Sequence, residues 1–456
     1  MGSSGFRPPG YFRKISEQFR DAPRNMLQKR PEAVRSGPRD LRDYRACIMK
    51  LSMIFAAAAI PLSVGFSSDA VAQKNYGPGV TDTEIKIGQT APYSGPLSSL
   101  SVFARIEAAY FRKINESGGI NGRKITLISL DDAFSPPKTV EQTRKLVESD
   151  EVLAVVGSIG TPTNLATSKY LNSKGVPQIL VLASTPKLDD PDNLPWTTTF
   201  MMSQPAETSI YAEYLLKSKP DARIAVIYQN DDLGKGNLGW FKAALGAKAS
   251  TMIVREAAYD VNEPTIDSQI VALKASGADT LFHASNARFA AQSIRKAHEL
   301  GWKVQHVLLS GASVIASVLR PAGLEASTGA VTAVWLKSTE NPLWDDDRDV
   351  KEYRAFMKQW APGEMMEESI FAYATAKMIV EVLKRCGDDL SRDNLLKQAT
   401  NVRDLQLPAF LDGVTINISP TSRVAWRRAS MARFDGTKWV LFGDIVGGPA
   451  DSPASR

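Results

Sequence analysis

The apolar and polar positions of this chain follow two alternating periods. Glu84-Ile85-Lys86-Ile87-Gly88 alternates as a strand, and Phe103, Ile106, Tyr110 and Ile114 then recur at helical spacing up to Gly118-Gly119. A second strand over 124–130 and a second helix over 138–149 follow. Val152 to Val156 is a continuous apolar run, the pattern of a strand covered on both faces. A helix over 163–174 and a strand over 178–182 complete this first series.

The rhythm restarts after the polar stretch Met202 to Ala206, which reads as a crossing between two bodies. Strands are expected over 223–228, 252–256, 280–283 and 306–309, with helices over 233–247, 265–276 and 288–300 between them. Repeated βα units with short loops predict parallel sheets covered by helices, so the fold class is α/β with two doubly wound lobes. Beyond Gly329 the pattern loosens. A strand over 330–336, helices over 347–359 and 369–386, and a hairpin at 430–434 and 438–442 about Asp435-Gly436 are expected.

The residues before this series have a different character. Residues 1–45 are dominated by Arg, Pro and Gly and lack apolar periodicity. Lys50 follows Met49, a short apolar stretch includes Ala56 to Ala59, and Ala70-Val71-Ala72 closes the segment before Gln73. A basic end, a short apolar stretch and a small-x-small site make up a secretory signal peptide. Residues 1–72 are therefore expected to be an extension plus a cleaved leader, with Met49 as the natural start, and the remainder to be exported. The stretch is too short and too interrupted, by Pro61 and Gly65, to hold a stable span.

Charge and cysteine change meaning once the leader is set aside. The whole chain carries 55 Lys and Arg against 49 Asp and Glu. Residues 1–72 hold 12 and 6 of these, so 43 of each remain and the exported part is neutral. It has no basic face for nucleic acid. Cys47 leaves with the leader and Cys386 is then alone. His283, His298 and His306 lack metal-ligand spacing, so neither metal nor cofactor is expected.

No nucleophile elbow, zinc-protease helix or phosphate loop occurs. Asp131-Asp132 reads as a strand-end turn and Asp345-Asp346-Asp347 as a helix start. More informative are the loops at the carboxyl ends of the first-series strands, where doubly wound sheets bind ligands. They are Tyr93-Ser94-Gly95-Pro96, Gly157 through Thr163, and Ala183-Ser184-Thr185-Pro186. Their hydroxyls, glycines and helix-opening N–H groups suit a carboxylate that no lysine or arginine need neutralise.

With these residues in view, the chain resembles the periplasmic substrate-binding proteins of ABC importers, in the Leu/Ile/Val-binding (type I) family. The resemblance spans 85 to about 446. It rests on Ile85-Lys86-Ile87-Gly88 leading to Ser94-Gly95-Pro96, Ile114-Asn115 before Gly118-Gly119-Ile120-Asn121-Gly122, Asp131-Asp132, Val155-Val156-Gly157-Ser158, Ala183-Ser184-Thr185-Pro186 and Asp231 through Gly236. It implies a type I periplasmic-binding-protein fold with a three-segment hinge. One lobe would comprise 84–202 and 334–425, the other 203–333 and 426–446, with 447–456 as a tail. Thr161, Ala183 and Thr185 inherit the grip on a ligand carboxylate and its neighbouring amine, with Ser94, Leu100 and Ser184 beside them. Leu233, Asn286 and Ser310 would face them from the second lobe.

This chain also departs from the family pattern. Leu100 and Leu233 stand where aromatic walls are common, and Ser310 where an acid meets the ligand ammonium. The positions of a common disulfide are Phe134 and Gly160. The expectation is a monomeric periplasmic receptor, not an enzyme, that captures a small carboxylate-bearing solute and delivers it to the transmembrane subunits of an ABC permease. A ligand-sensing receptor and a secreted α/β hydrolase are the competing readings. A simple branched-chain α-amino acid is not the expected ligand.

Overall fold

Two sheets carry the chain in the computed structural model, which describes residues 74–447. The expected leader and the 448–456 part of the tail lie outside the described residues. The first sheet is parallel throughout, in the order Lys124–Asp131, Glu84–Ala91, Val155–Val156, Gln178–Val181, Thr197–Thr199. Non-sequential neighbours of this kind require helical crossovers, and the helices Ser101–Glu116, Pro136–Glu148 and Thr161–Ser173 supply them. Ile85 and Ile87 on one face of Glu84–Ala91 and Thr90 on the other are buried, as a strand covered on both faces requires.

The second sheet has seven strands. Ile253–Tyr259, Ile224–Gln229, Thr280–Ala284, Gln305–Leu308 and Val331–Val334 run parallel. The expected hairpin, Ala429–Phe434 with Trp439–Val446, adds to Val331–Val334 in the antiparallel sense, so this sheet is mixed. Asp435 closes the hairpin by accepting from the Thr437 and Lys438 amides at 2.8 Å each.

Two local expectations need correction. The apolar run Val152 to Val156 is a strand only at Val155–Val156, paired to the neighbouring strand at Gly88 alone. The Leu146 and Val152 side chains lean over Gly88, where a Cβ would meet them at 3.1 and 3.2 Å. The stretch beginning at Met202, expected only as a crossing, is also the start of a helix, Gln204–Ser218, which the sequence pattern did not mark. Ser203 caps it by accepting from the Ala206 amide, and Pro205 sits in the first turn. Its buried face includes Gln204, Glu207 and Thr208 beside Ile210, Tyr211 and Leu215, and these polar members hide the apolar stripe.

The chain passes between the sheets near Phe200, near Trp335 and near Trp426. These residues pack together. Phe200 meets Trp426 at 5.2 Å between ring centroids, Trp335 meets Trp426 at 5.6 Å, and Phe410 and Phe371 close the cluster. The three passages are thus joined by aromatic contacts, edge-on between Phe200 and Trp426 and tilted between Trp335 and Trp426.

Candidate functional site

The site begins with turns that hold the first sheet's strand ends. Asp131 accepts from the Ala133 amide at 3.0 Å, and Asp132 from the Phe134 amide at 2.9 Å. These bonds keep Ala133 and Phe134 in the left-handed region, at φ 51 and 58. Such a conformation costs a non-glycine residue, so the two acids are structural. The turn sets the Phe134 ring against Gly160, whose φ is 117 and where a Cβ would meet that ring at 2.7 Å. The positions the resemblance assigns to a disulfide thus touch here through a ring and a glycine.

Gly160 opens the helix Thr161–Ser173. Its amide donates to the Leu182 carbonyl at 3.1 Å, and the Leu182 amide donates to the Ser158 carbonyl at 2.9 Å. Thr161 and the Ala183–Thr185 loop are therefore fixed side by side. A bulge precedes that loop, with Leu180 at φ 55 and its amide bonded to Thr198 Oγ1 at 2.9 Å. Bulges re-aim the residues that follow them. Thr161, Ala183, Ser184 and Thr185 are all buried. Thr185 Oγ1 accepts from the Lys187 amide at 3.3 Å, which leaves its O–H proton to donate.

Facing these loops, the second-sheet candidates are joined through residues that the sequence reading missed. Gln204 is the link. Its amide donates to the Ser184 carbonyl at 2.8 Å, and its Nε2 donates to the Asp232 and Leu233 carbonyls at 3.3 and 3.1 Å. Asp231 caps the helix Asp232–Leu245, accepting from the Leu233 and Gly234 amides, and also accepts from Gln229 Nε2. Gln229 Oε1 in turn accepts from Asn286 Nδ2 at 2.6 Å, while Asn286 caps its own helix, Ala287–Glu299. Asn286, Leu233 and Ser184 are thus connected through Gln229, Asp231 and Gln204.

Ser310 hangs from the same helix one turn further on. Its amide and hydroxyl donate to Glu207 Oε1 at 2.7 and 2.5 Å, and Tyr211 donates to that oxygen at 2.9 Å. Glu207 is 5 % exposed, and burial raises its carboxyl above the ordinary range despite these donors. Burial likewise raises Asp231. Asp232 instead pairs with Lys187 at 2.6 Å, an ion pair that joins loops of the two sheets.

Ser94 and Leu100 stand apart from this network. Ser94 is exposed and donates to Asp131 Oδ2 at 2.6 Å. Against the cost of burial, Lys138 and Ser94 hold the Asp131 carboxyl well below the usual carboxylate range. Leu100 is half-buried and caps the helix Ser101–Glu116 without a side-chain bond. Only the polar character of Gln204 and Glu207, at the opening of a helix, could have signalled their role in the sequence.

Two wound sheets, three crossings and buried donors on facing strand ends define a two-lobed solute-binding protein. The chain belongs to the periplasmic binding protein family, whose model matches residues 84–438. Among curated relatives, a Leu/Ile/Val-binding protein homolog of Brucella melitensis is 27% identical over 73% of this chain and 85% of its own length. Among solved structures, a branched chain amino acid ABC transporter protein of Thermus thermophilus with bound valine superposes with TM-score 0.73. It is 15% identical, over 81% of this chain and 98% of that one. A solute binding protein of ABC transporter from Rhodopseudomonas palustris, in complex with 3,4-dihydroxy benzoic acid, gives 0.68 at 22% identity, over 81% and 99%. The type I periplasmic binding protein fold is thereby shown, in a chain of the periplasmic binding protein family whose curated relatives include Leu/Ile/Val-binding proteins. The family places the protein in the periplasm, and no described helix is long and apolar enough to cross a membrane.

Proposed function

We propose that the protein captures a small carboxylate-bearing solute between its lobes, with Thr161, Ser184 and Thr185 holding the carboxylate, and passes it to a membrane permease. One observation carries this reading. Thr161 opens a helix at the carboxyl end of a buried strand, beside two further hydroxyls, and all three are buried. Free helix-opening N–H groups and hydroxyl donors stabilise an anion without a protein cation. On the facing sheet Asp231 and Asp232 are already engaged, by helix amides and by Lys187. An aromatic or aliphatic acid without an amine therefore fits better than a simple branched-chain amino acid. The relative crystallised with 3,4-dihydroxy benzoic acid supports this class. Delivery to a permease follows from the family, and a neighbouring permease gene would separate transport from a sensing role.

Calorimetric titration of aromatic and aliphatic acids tests the grip. Losing one hydrogen bond to the carboxylate should cost about 1.5–3 kcal/mol, so Thr161→Ala and Thr185→Ala should each weaken binding about ten- to hundredfold. Unchanged affinity in both folded variants places the carboxylate elsewhere. A second reading, an amino acid, draws on Glu207, a buried carboxyl whose described partners Ser310 and Tyr211 are uncharged. Competition of leucine with its 2-oxo acid distinguishes them: leucine bound and the oxo acid ignored would select the amino acid.

A further inference from the structure

The helix Met366–Arg385 lies along Ser101–Glu116, a crossover helix of the five-stranded sheet, with Phe371 against Phe103 and Tyr373 against Tyr110. The segment Ile315–Leu319 packs instead on Ala287–Glu299, a helix of the seven-stranded sheet. Glu367 reaches from the first body to the second. Its carboxyl accepts from the Ile315 amide at 2.9 Å, and from Ser338 Oγ, just past the Trp335 crossing, at 3.2 Å. A cavity of about 110 Å³ opens beside this contact, with Ser310, Ser313 and Leu441 on one side and Glu367 and Ile370 on the other. Protein interiors hold few such gaps, so a void spanned by a side-chain bond marks a joint between two bodies.

Few charges face Glu367. Lys337 is the other charged residue lining the cavity, and Asp347 holds it at 2.7 Å, with Asp412 at 3.7 Å. Glu340 opposes a second negative charge, and its own partner is Arg320 at 3.6 Å. Among the described residues no cation pairs with Glu367. An ionised Glu367 is therefore a poorly solvated charge beside a like charge, which a neutral one is not. Burial and Glu340 accordingly push its carboxyl up to about 7. If the joint parts, water reaches the carboxyl and its ordinary value of 4.5 returns. The closed form then holds a proton that the parted form releases, so acid favours closure.

We propose that Glu367 is a proton-sensitive latch, which lets the lobes close over a solute more readily when it is neutral. The inference rests on the reading that the solute is enclosed between the two lobes. It adds what sets the ease of closing.

Calorimetric titration of the parent and Glu367→Gln with benzoate and with leucine, at pH 6 and pH 8, tests it. A solute that binds the closed form reports the closing equilibrium through its affinity. Glu367→Gln carries no charge at either pH and should bind more tightly than the parent. Its advantage should be about tenfold larger at pH 8 than at pH 6, since two pH units above and below a group near 7 change its closing preference about tenfold. The comparison cancels the titration of the solute and of Glu207 and Asp231, whose carboxyls burial also raises. Glu340→Gln removes the like charge and should give a smaller pH dependence than the parent, which serves if Glu367→Gln does not fold. A variant-to-parent ratio that is the same at both pH values would overturn the latch. If Thr161→Ala and Thr185→Ala bind like the parent while that ratio still changes with pH, the carboxylate grip falls and the latch stands. If neither solute binds, closure is read as the distance between spin labels on Glu141→Cys and Ala272→Cys, exposed positions on helices of the two sheets. Cys386 is buried and its thiol is pushed up to about 12, so it stays unlabelled. The near population should grow from pH 8 to pH 6 in the labelled parent more than in labelled Glu367→Gln, and equal growth, or none, overturns the latch.

Discussion

On the five-stranded sheet, Thr161, Ser184 and Thr185 are buried, yet among the described residues only the Thr185 hydroxyl of the three has a hydrogen-bond partner, and only as an acceptor. On the seven-stranded sheet, Asn286, Asp231 and Ser310 use their polar groups on Gln229, helix amides and Glu207. The same strand-end geometry has thus been used in two ways. On the proposed reading, one side keeps donors free for a solute, and the other ties its loops into a face against which the solute would be closed. In a hinge-bending binder this division has a use: the ligand shifts the closed population only through contacts it gains on closure, so the second face must be in place beforehand.

The most severe way to break the second face is at Gly234. A Cβ there would collide with the Gln229 carbonyl oxygen and amide nitrogen, backbone atoms that cannot step aside. Gly234→Ala should cost about 3 kcal/mol or more by overpacking, read as a lower denaturant midpoint. An unchanged midpoint would mean that the Gln229–Asp231 link is soft.

The next test concerns the acid joining the two sides. Glu367 opens the long helix Met366–Arg385, accepting from Ser338 Oγ at 3.2 Å and from the Ile315 amide at 2.9 Å. Burial, with Glu340 nearby, pushes its carboxyl up to about 7, against an ordinary 4.5. The folded protein then keeps a proton that the unfolded chain has released, so this group lowers stability as pH rises from 4.5 to about 7. Glu367→Gln should be more stable than the parent by about 2 kcal/mol at pH 8, once the loss of one accepted bond is counted. Below about pH 4 only the lost bond remains, so the sign should reverse and the parent should be the more stable by about 1 kcal/mol. His283 and His306, a buried pair at 2.9 Å with His306 pushed down to about 4, act with the opposite sign. The quantity to measure is therefore variant minus parent, and a difference independent of pH would refute the assignment.

Gly236→Ala probes the same face more gently. Its Cβ would meet the Gln204 side-chain amide, the far end of a flexible side chain. Gln204 can swing away at the cost of its bonds to the Asp232 and Leu233 carbonyls, about 1 kcal/mol in stability. A cost equal to that of Gly234→Ala would show that Gln204 is held rigidly.

These tests also show where the sequence was readable. The parallel strands and most crossover helices were legible because a doubly wound sheet buries near-continuous apolar runs, as over Ile224, Ala225, Val226 and Ile227. The Asp-Gly hairpin was legible from turn chemistry alone, although not its antiparallel addition to Val331–Val334. The helix Gln204–Ser218 was not legible, because Gln204 and Glu207 occupy its buried face and interrupt the apolar period. In the candidate site, the loops holding Thr161 and Thr185 could be named from strand-end composition. The partners of Leu233, Asn286 and Ser310 could not, since Gln204, Gln229 and Glu207 acquire their roles only when distant elements meet.

The smallest expected effect is at the rim, where the two faces meet through charge. Lys187 and Asp232 approach to 2.6 Å, but their side chains are 67 % and 38 % exposed. Exposed pairs contribute about 0.2–1 kcal/mol and are screened by salt. Lys187→Ala should therefore leave the denaturant midpoint nearly unchanged. Because the pair links loops of opposite sheets, its loss should instead speed ligand release, by about two- to threefold at low salt. At about 1 M salt, where charges are screened within about 3 Å, parent and variant should release ligand at the same rate. A defect that persists at high salt would place the Lys187 ammonium on the ligand itself. The carboxylate would then be neutralised by a cation, and the contrast between a donor face and a closing face would have to be redrawn around that charge.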